Sequence, residues 1–331
     1  MTKPNPRHAF FDGRIVPYAD AKVGVLTQAL HYGTACFGGL RGYWSESDQE
    51  LFLFRPQDHY KRFLNSTKLL CMDLGLTREE LVGHTLALLR AEELKQDCYI
   101  RPLAYKAEES IGVQLRGGRD GFTIVAFPFS RFIEKPDGAH LTISSWTRVG
   151  DNMIPPRGKI AGAYVNSALM RADAQAAGFD DAIALDHLGQ VAEASVANLF
   201  ILRDGVVATP PTTGSNLEGI TRSSLITVIE AELDTEVVER PIDRTELYLA
   251  DEIWLCGTGV EILPVTKIDH RPIGEGKIGP TAERVRHVFQ DVVRGRNARY
   301  RSWLAPVYRS AAQVQVQAEA AAKAARETTT R

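Results

Sequence analysis

Cysteine is scarce and scattered in this chain. The four present, Cys36, Cys71, Cys98 and Cys256, form no C-x-x-C pair. They read as reduced packing residues, with neither a disulfide framework nor a metal site expected. Charge of one sign is missing too: 39 Lys and Arg stand against 41 Asp and Glu, a formal net charge of −2. That balance removes the basic excess of a nucleic-acid binder and the long run of like charges that marks a polyelectrolyte partner. No window of about 18 apolar residues is present to span a membrane, and the opening MTKPNPRHAF lacks the apolar core of a signal peptide. A cytoplasmic enzyme with no membrane or nucleic-acid partner is therefore expected. What the chain does have is 331 residues, 44% of them hydrophobic. That is enough to bury a large core, and two domains are the expectation.

Helical and strand signals are mixed along the chain. FFDGRIV carries an Asp12-Gly13 turn between apolar flanks, which predicts a hairpin. LFLF, from Leu51 to Phe54, predicts a strand, and the spacing of Tyr60, Phe63, Leu64, Leu69 and Leu70 a following helix. Thr77 with Glu80 forms a capping-box pattern before LVGHTLALLRAEEL. CYIRPLAYKA and GFTIVAFPF read as two more strands. The polar stretch SRFIEKPDG predicts an interdomain linker.

Beyond it, HLTISSW reads as a strand and AGAYVNSALMRADAQAAG as a helix stopped by Gly178. Short strands are expected at AIALD, VAEAS and NLFILRDGVVAT, a helix at GITRSSLITVIEAEL, and buried strands at TEVVERP and EIWLCG. TAERVRHVFQDVVRG predicts a closing amphipathic helix. This mixture argues for α+β character. The expected division is a smaller α/β domain over 1–130, a linker over 131–138, and a larger domain over 139–308. The tail 309–331 is rich in Ala, Gln and Glu without Leu, Ile or aromatics, and is expected to fray.

Four stretches could carry chemistry. In PPRGKIAGAYVNS, Lys159 sits among small residues just before a helix, with room for a flat ring beside it. Burial there would leave its amine neutral and nucleophilic. In VAEASVANLF, Glu193 lies in a run of small and apolar residues, where a carboxylate can keep a pyridine nitrogen protonated. In LEGITRSSL, Gly219 precedes Ile220 and Thr221 at a helix start, whose free N–H groups make a phosphate cup. In CGTGVEILPV, Gly257-Thr258-Gly259 allows close backbone approach to an anion. Singly, each has an ordinary reading: a solvated lysine, a strand-end glutamate, a capped helix, a tight turn.

Their joint order is far more specific. PRGKIAGAYVNS, EASVANLF, LEGITR and GTGVEILPV, preceded by LHYGTACFGGLRGY and YIRPL, resemble the branched-chain aminotransferases of the pyridoxal-phosphate fold type IV class, from about Phe10 to Val307. The resemblance implies a two-domain α+β fold, with a larger α/β barrel-like second domain and pyridoxal 5′-phosphate in the cleft. It implies that Lys159 holds the cofactor as a Schiff base and shuttles a proton, and that Glu193 pairs with the pyridine nitrogen. It further implies that Tyr164 meets the ring oxygen, that Leu217 packs on the ring, and that Arg62, Gly219, Ile220, Thr221 and Thr258 surround the phosphate. Tyr32, Phe37, Tyr99, Phe129 and Tyr164 would wall an aliphatic substrate pocket. Thr258 and Gly259 would take the α-carboxylate, and Arg101 the distal carboxylate of glutamate. A homo-oligomer, a dimer or higher, is implied as well.

The implied reaction moves the amino group of L-leucine, L-isoleucine or L-valine to 2-oxoglutarate. Departures from the family pattern fall at Gly38, where a glutamate is common, and at Phe129, Phe132, Ala197 and Gly259. They bear on the substrate and leave the cofactor set intact. A D-amino-acid or (R)-amine transaminase of the same fold therefore stays open. So do a related aminodeoxychorismate lyase and a non-catalytic protein of pyridoxal-phosphate homeostasis.

Overall fold

A computed structural model describes residues 5–130, 133 and 135–309. Phe132, part of the expected linker and the tail from 310 onward lie outside the described residues.

The strands form two sheets. The first is antiparallel throughout and runs Leu304–Pro306, Glu50–Phe54, Leu40–Ser45, Cys98–Lys106, Asp120–Pro128, His8–Phe11, Arg14–Pro17, with Ala35–Phe37 also on Cys98–Lys106. Asp12 and Gly13 both take left-handed backbone (φ 47° and 82°), as a two-residue hairpin turn requires. Helices Pro56–Leu69 and Arg78–Glu92 cover one face of this sheet. The capping box of the second helix forms as expected: Glu80 N–H donates to Thr77 Oγ1 at 3.2 Å, and Thr77 N–H to Glu80 Oε2 at 2.7 Å. Tyr60, Phe63, Leu81, Leu88, Leu51, Leu53, Ile100 and Ile124 pack into one buried cluster between helices and sheet.

Strand alternation sends the neighbours of those core residues the other way. Along Cys98–Lys106, Cys98, Ile100 and Ala104 enter this core, while Tyr99, Arg101 and Leu103 face a cavity between the two sheets. That period of two is how the first sheet supplies a functional wall.

The second sheet is mixed. Its order is Val191–Ala194, Asp181–Leu185, Ala139–Ile143, Glu261–Ile268, Glu252–Gly257, Asn198–Arg203, Val206–Thr209, Val237–Glu239. Ala139–Ile143 lies parallel to both its neighbours, and Val237–Glu239 parallel to Val206–Thr209. The sheet curls until its ends meet: Val191 N–H donates to Ile242 C=O at 2.8 Å, and Gln190 bridges Asp243. Small and branched side chains such as Ala139, Ile183, Ala194, Leu199, Ala208, Leu255 and Val265 fill the interior. Helices Ile220–Leu233 and Pro280–Val293 pack outside on Phe200, Trp254 and Ile262.

The mixed α+β character expected from the sequence is present as two sheets with packed helices, with three differences of detail. The strand Leu304–Pro306, late in the chain, joins the edge of the first sheet by pairing with Glu50–Phe54. The buried Glu50 carboxylate, with no exposed surface, secures it by accepting from the N–H groups of Val307, Tyr308 and Arg309. Within TEVVERP only Val237 is buried, because that strand is an edge. Leu40–Ser45 and Glu261–Ile268 are central strands that no sequence signal marked: both are buried on nearly every residue, so neither alternates.

Candidate active site

The cavity between the sheets has a volume of about 510 Å³. Lys159 reaches it from an extended segment pinned on both sides. Its N–H donates to Ser66 Oγ at 3.1 Å, and its C=O accepts from Phe37 N–H at 3.0 Å. Two glycines let this segment approach the first domain. Gly33, in left-handed backbone (φ 66°), lies so close to Gly162 that a Cβ would stand 2.9 Å from the Gly162 Cα.

Lys159 Nζ donates to Tyr164 Oη at 2.5 Å and sits 5.1 Å from the centre of the Phe37 ring. Burial, followed by the cations Arg62 and Arg101, holds its pKa well below the ordinary lysine value, against an opposing pull from Glu193. That shift favours the uncharged amine, the form a nucleophile needs. Burial, with Glu193 adding to it, pushes the Tyr164 hydroxyl upward, so it stays a phenol.

Glu193, 4% exposed, stands across the cavity on the strand Val191–Ala194. Burial raises its pKa above the usual carboxylate value, and Arg148 pulls it back. Arg148 Nη2 lies 2.8 Å from Glu193 Oε1, with both side chains 6% exposed. Asn198 Nδ2 donates to Glu193 Oε2 at 3.0 Å and to Leu217 C=O at 3.1 Å. The Leu217 N–H also points at Glu193, at 3.3 Å. This brace explains Gly219: a Cβ there would fall 1.9 Å from Asn198 Oδ1.

Gly219 is the N-cap of Ile220–Leu233 and no side chain caps that helix. The first turn of the helix opens on the cavity through Ile220 and Thr221, with Arg62 and Thr258 nearby on its wall. Arg62 Nη1 donates to Glu218 C=O at 2.9 Å, which draws the helix start and the guanidinium together. A helix N-terminus beside an arginine and a threonine is the donor set a phosphate monoester needs. A buried glutamate and a buried lysine complete the fit to a phosphorylated pyridine aldehyde.

The sequence-derived residues divide cleanly. Phe37, Arg62, Tyr99, Arg101, Lys159, Tyr164, Glu193, Leu217, Gly219, Ile220, Thr221, Thr258 and Gly259 all line the cavity. Tyr32 and Phe129 do not. Tyr32 turns its hydroxyl to the Gly112 N–H at 3.1 Å, and Phe129 packs edge-on behind Tyr99 with ring centres 5.4 Å apart. Phe132 lies outside the described residues. Gly38 is not on the wall either, since a Cβ there would meet Pro102 Cγ at 2.6 Å; its neighbour Gly39 is, directly against the Tyr99 hydroxyl. Of the departures in the described chain, only Ala197 and Gly259 face the cavity.

Sequence reasoning missed Arg148, Asn198 and Ser66. Arg148 sits in a loop where nothing in the spacing marks it, and only the fold sets it against Glu193. Asn198 follows Glu193 in the same motif and was the findable one: a polar residue within an otherwise apolar strand needs a partner. Cys256 also lines the cavity, but burial pushes its thiol up to about 12, so it is no nucleophile.

Residues 37–268 match the family model of amino-transferase class IV. The chain belongs to the class IV aminotransferases. A probable branched-chain-amino-acid aminotransferase of Aquifex aeolicus strain VF5 is 44% identical over 300 residues, which span 91% of this aminotransferase and 96% of the relative. The branched-chain amino acid aminotransferase of Thermobaculum terrenum, solved in its PLP form, superimposes with a TM-score of 0.88 at 37% identity and covers 93% of this chain and 100% of its own. The branched-chain aminotransferase of Thermoproteus uzoniensis has been solved with norvaline. It aligns with a TM-score of 0.88 at 38% identity, over 92% of this aminotransferase and 100% of the other chain.

Proposed function

We propose that this aminotransferase moves the amino group of L-leucine, L-isoleucine or L-valine to 2-oxoglutarate through pyridoxal 5′-phosphate held by Lys159. The observation that carries the reading is the buried Lys159 amine facing Glu193 across one cavity, with Arg62 and a helix N-terminus on its wall. Bound there, pyridoxal phosphate supplies the electron sink that makes the α-hydrogen of an amino acid acidic. The chain's residues do the rest. Lys159 Nζ would hold the cofactor at its carbonyl carbon and would move the proton at the substrate α-carbon. Glu193, 2.8 Å from Arg148, would pair with the pyridine nitrogen. Tyr164 would donate to the ring oxygen and Leu217 would pack on the ring. Arg62, Gly219, Ile220, Thr221 and Thr258 would hold the phosphate.

Thr258 and Gly259 receive the α-carboxylate that donor and acceptor share. Phe37, Tyr99 and Leu103 offer an apolar wall for a branched side chain. Arg101, stacked 4.5 Å from the centre of the Phe37 ring, offers the cation for the distal carboxylate of glutamate. One pocket can then serve both halves of the exchange. Val25, Leu30, Ile111 and Val113 are 82%, 64%, 70% and 81% exposed. Gln28 links their two segments by donating to Gly112 C=O at 2.8 Å. This apolar surface supports a homo-oligomer. A cytoplasmic setting agrees with the balanced charge, and no helix among the described residues is long and apolar enough to cross a membrane.

The test is an absorbance titration of the pyridoxal-phosphate-loaded protein. L-Leucine bleaches the visible band and 2-oxoglutarate restores it, and Lys159→Ala abolishes both changes. Bleaching by D-alanine or (R)-1-phenylethylamine but not by L-leucine would overturn the substrate while leaving the role of Lys159 in place.

A further inference from the structure

The turn that closes the cavity is under tension. Strands Glu252–Gly257 and Glu261–Ile268 pair with Gly257 opposite Glu261, leaving Thr258, Gly259 and Val260 as the connection. The residue that ends it, Glu261, has left-handed backbone at φ 55°. That conformation normally belongs to glycine or asparagine, because a Cβ crowds the following carbonyl. Glutamate offers no local relief, and here it is also 3% exposed.

What faces it is Arg41, from the strand Leu40–Ser45 of the other domain. Arg41 is 2% exposed, and its Nη1 lies 3.5 Å from Glu261 Oε1. The guanidinium is held through Nη2 and by two aromatic rings, while Nη1 and Nε make no hydrogen bond, so the contact with Glu261 is an ion pair alone. Nη2 donates to Phe129 C=O at 3.3 Å and stands 3.9 Å from Asp97, and the group lies over the Tyr43 and Phe129 rings at 5.1 and 5.5 Å. Asp97 is in turn held by Arg294 through contacts of 3.0 and 2.8 Å. A second cavity of about 500 Å³ adjoins these groups, but its cations Arg294, Arg286 and Lys135 already pair with Asp97, Glu283 and Asp180. The network is thus a structural bridge and not a surplus of cations awaiting an anion. Arg41 also pairs directly with Tyr99 across the first sheet, so one strand carries the clamp and its neighbour the cavity wall.

We propose that the buried Arg41–Glu261 pair is a positioning clamp that holds Glu261 in its left-handed backbone and so presents the Thr258–Gly259 peptide to the substrate α-carboxylate. It rests on the reading that this turn receives that carboxylate. A buried pair of this kind is costly to form and costly to break, which suits a device whose output is geometry. Because amino donor and oxo-acid acceptor share the α-carboxylate, the clamp sets the affinity for both together.

The test is calorimetric titration of the loaded enzyme with 4-methylvalerate, which keeps the carboxylate and side chain of leucine and lacks its amine. Glu261→Gln keeps the size and removes the charge. It is expected to bind the acid about tenfold more weakly, equivalent to about 1.4 kcal/mol. The KM for L-leucine and for 2-oxoglutarate should rise in parallel while kcat stays within about threefold. Glu261→Gly, which accepts φ 55° without strain, covers the case in which the glutamine variant does not fold, and is expected to lose the same affinity because the tether is gone. Wild-type affinity in either variant, or a loss of kcat as large as the rise in KM, overturns the clamp. If 4-methylvalerate does not compete with L-leucine in the wild-type enzyme, the carboxylate role of the turn falls first and the clamp with it.

Discussion

Removing Arg148 tests how the fold accommodates a carboxyl group in a dry place. Glu193 and Arg148 are both 6% exposed at the side chain and 2.8 Å apart. Breaking one side of a buried pair costs about 3–5 kcal/mol, because the survivor is left uncompensated. In Arg148→Met, which keeps the bulk of the side chain, the cofactor-free protein is expected to lose stability on that scale at pH 8. At about 2 °C per kcal/mol for a chain of this size, that is a fall in melting temperature of about 6–10 °C.

The pH dependence follows from burial, which already raises the Glu193 carboxyl and which Arg148 opposes. A carboxyl raised in the fold contributes stability below its unfolded value of about 4.3 and loses it as pH rises through the folded value. Without Arg148 the folded value climbs further. The deficit of the variant should therefore shrink as pH falls from 8 toward 5, where the carboxyl can take up a proton. The double variant Arg148→Met/Glu193→Gln should recover most of the loss, with a coupling of about 2 kcal/mol or more. The assay is thermal unfolding at both pH values for the four members of the cycle. A deficit under about 1 kcal/mol at both pH values, or no coupling, would refute the assignment of Arg148 as the compensating charge.

Two further outcomes are expected. Gly219→Ala drives a methyl group into Asn198 Oδ1 and so disturbs the brace on Glu193 and Leu217; an overpacking cost of about 1–3 kcal/mol should appear as weaker pyridoxal phosphate binding by tenfold or more in equilibrium dialysis, and unchanged affinity would sink the brace. Glu50→Gln replaces a carboxylate that accepts from Leu51, Val307, Tyr308 and Arg309 N–H groups. It should lower stability by about 1–3 kcal/mol in a denaturant melt while kcat holds, because Glu50 is not on the cavity wall.

Much of this protein was legible from its residues in order. The Asp12-Gly13 turn, the Thr77–Glu80 capping box and the amphipathic helices form where local chemistry places them, because each signal acts within a few residues of itself. The order of Lys159, Glu193, the Gly219 helix start and the Thr258 turn likewise carried the family and much of the cavity wall. Tertiary structure decided what depends on distance in space. Leu40–Ser45 and Glu261–Ile268 are strands only because neighbours cover both their faces, which erases the alternation a sequence could display. Leu304–Pro306 belongs to the first sheet because Glu50, far earlier in the chain, binds the backbone beside it.

Aromatic type alone could not separate Phe37, on the cavity wall, from Phe129, which packs behind Tyr99. Nor could any motif announce Arg148, and the motif that contains Arg41 names no partner for it. A buried charge is tolerated only where the fold delivers its partner, and for both of these the partner comes from a distant segment of the chain.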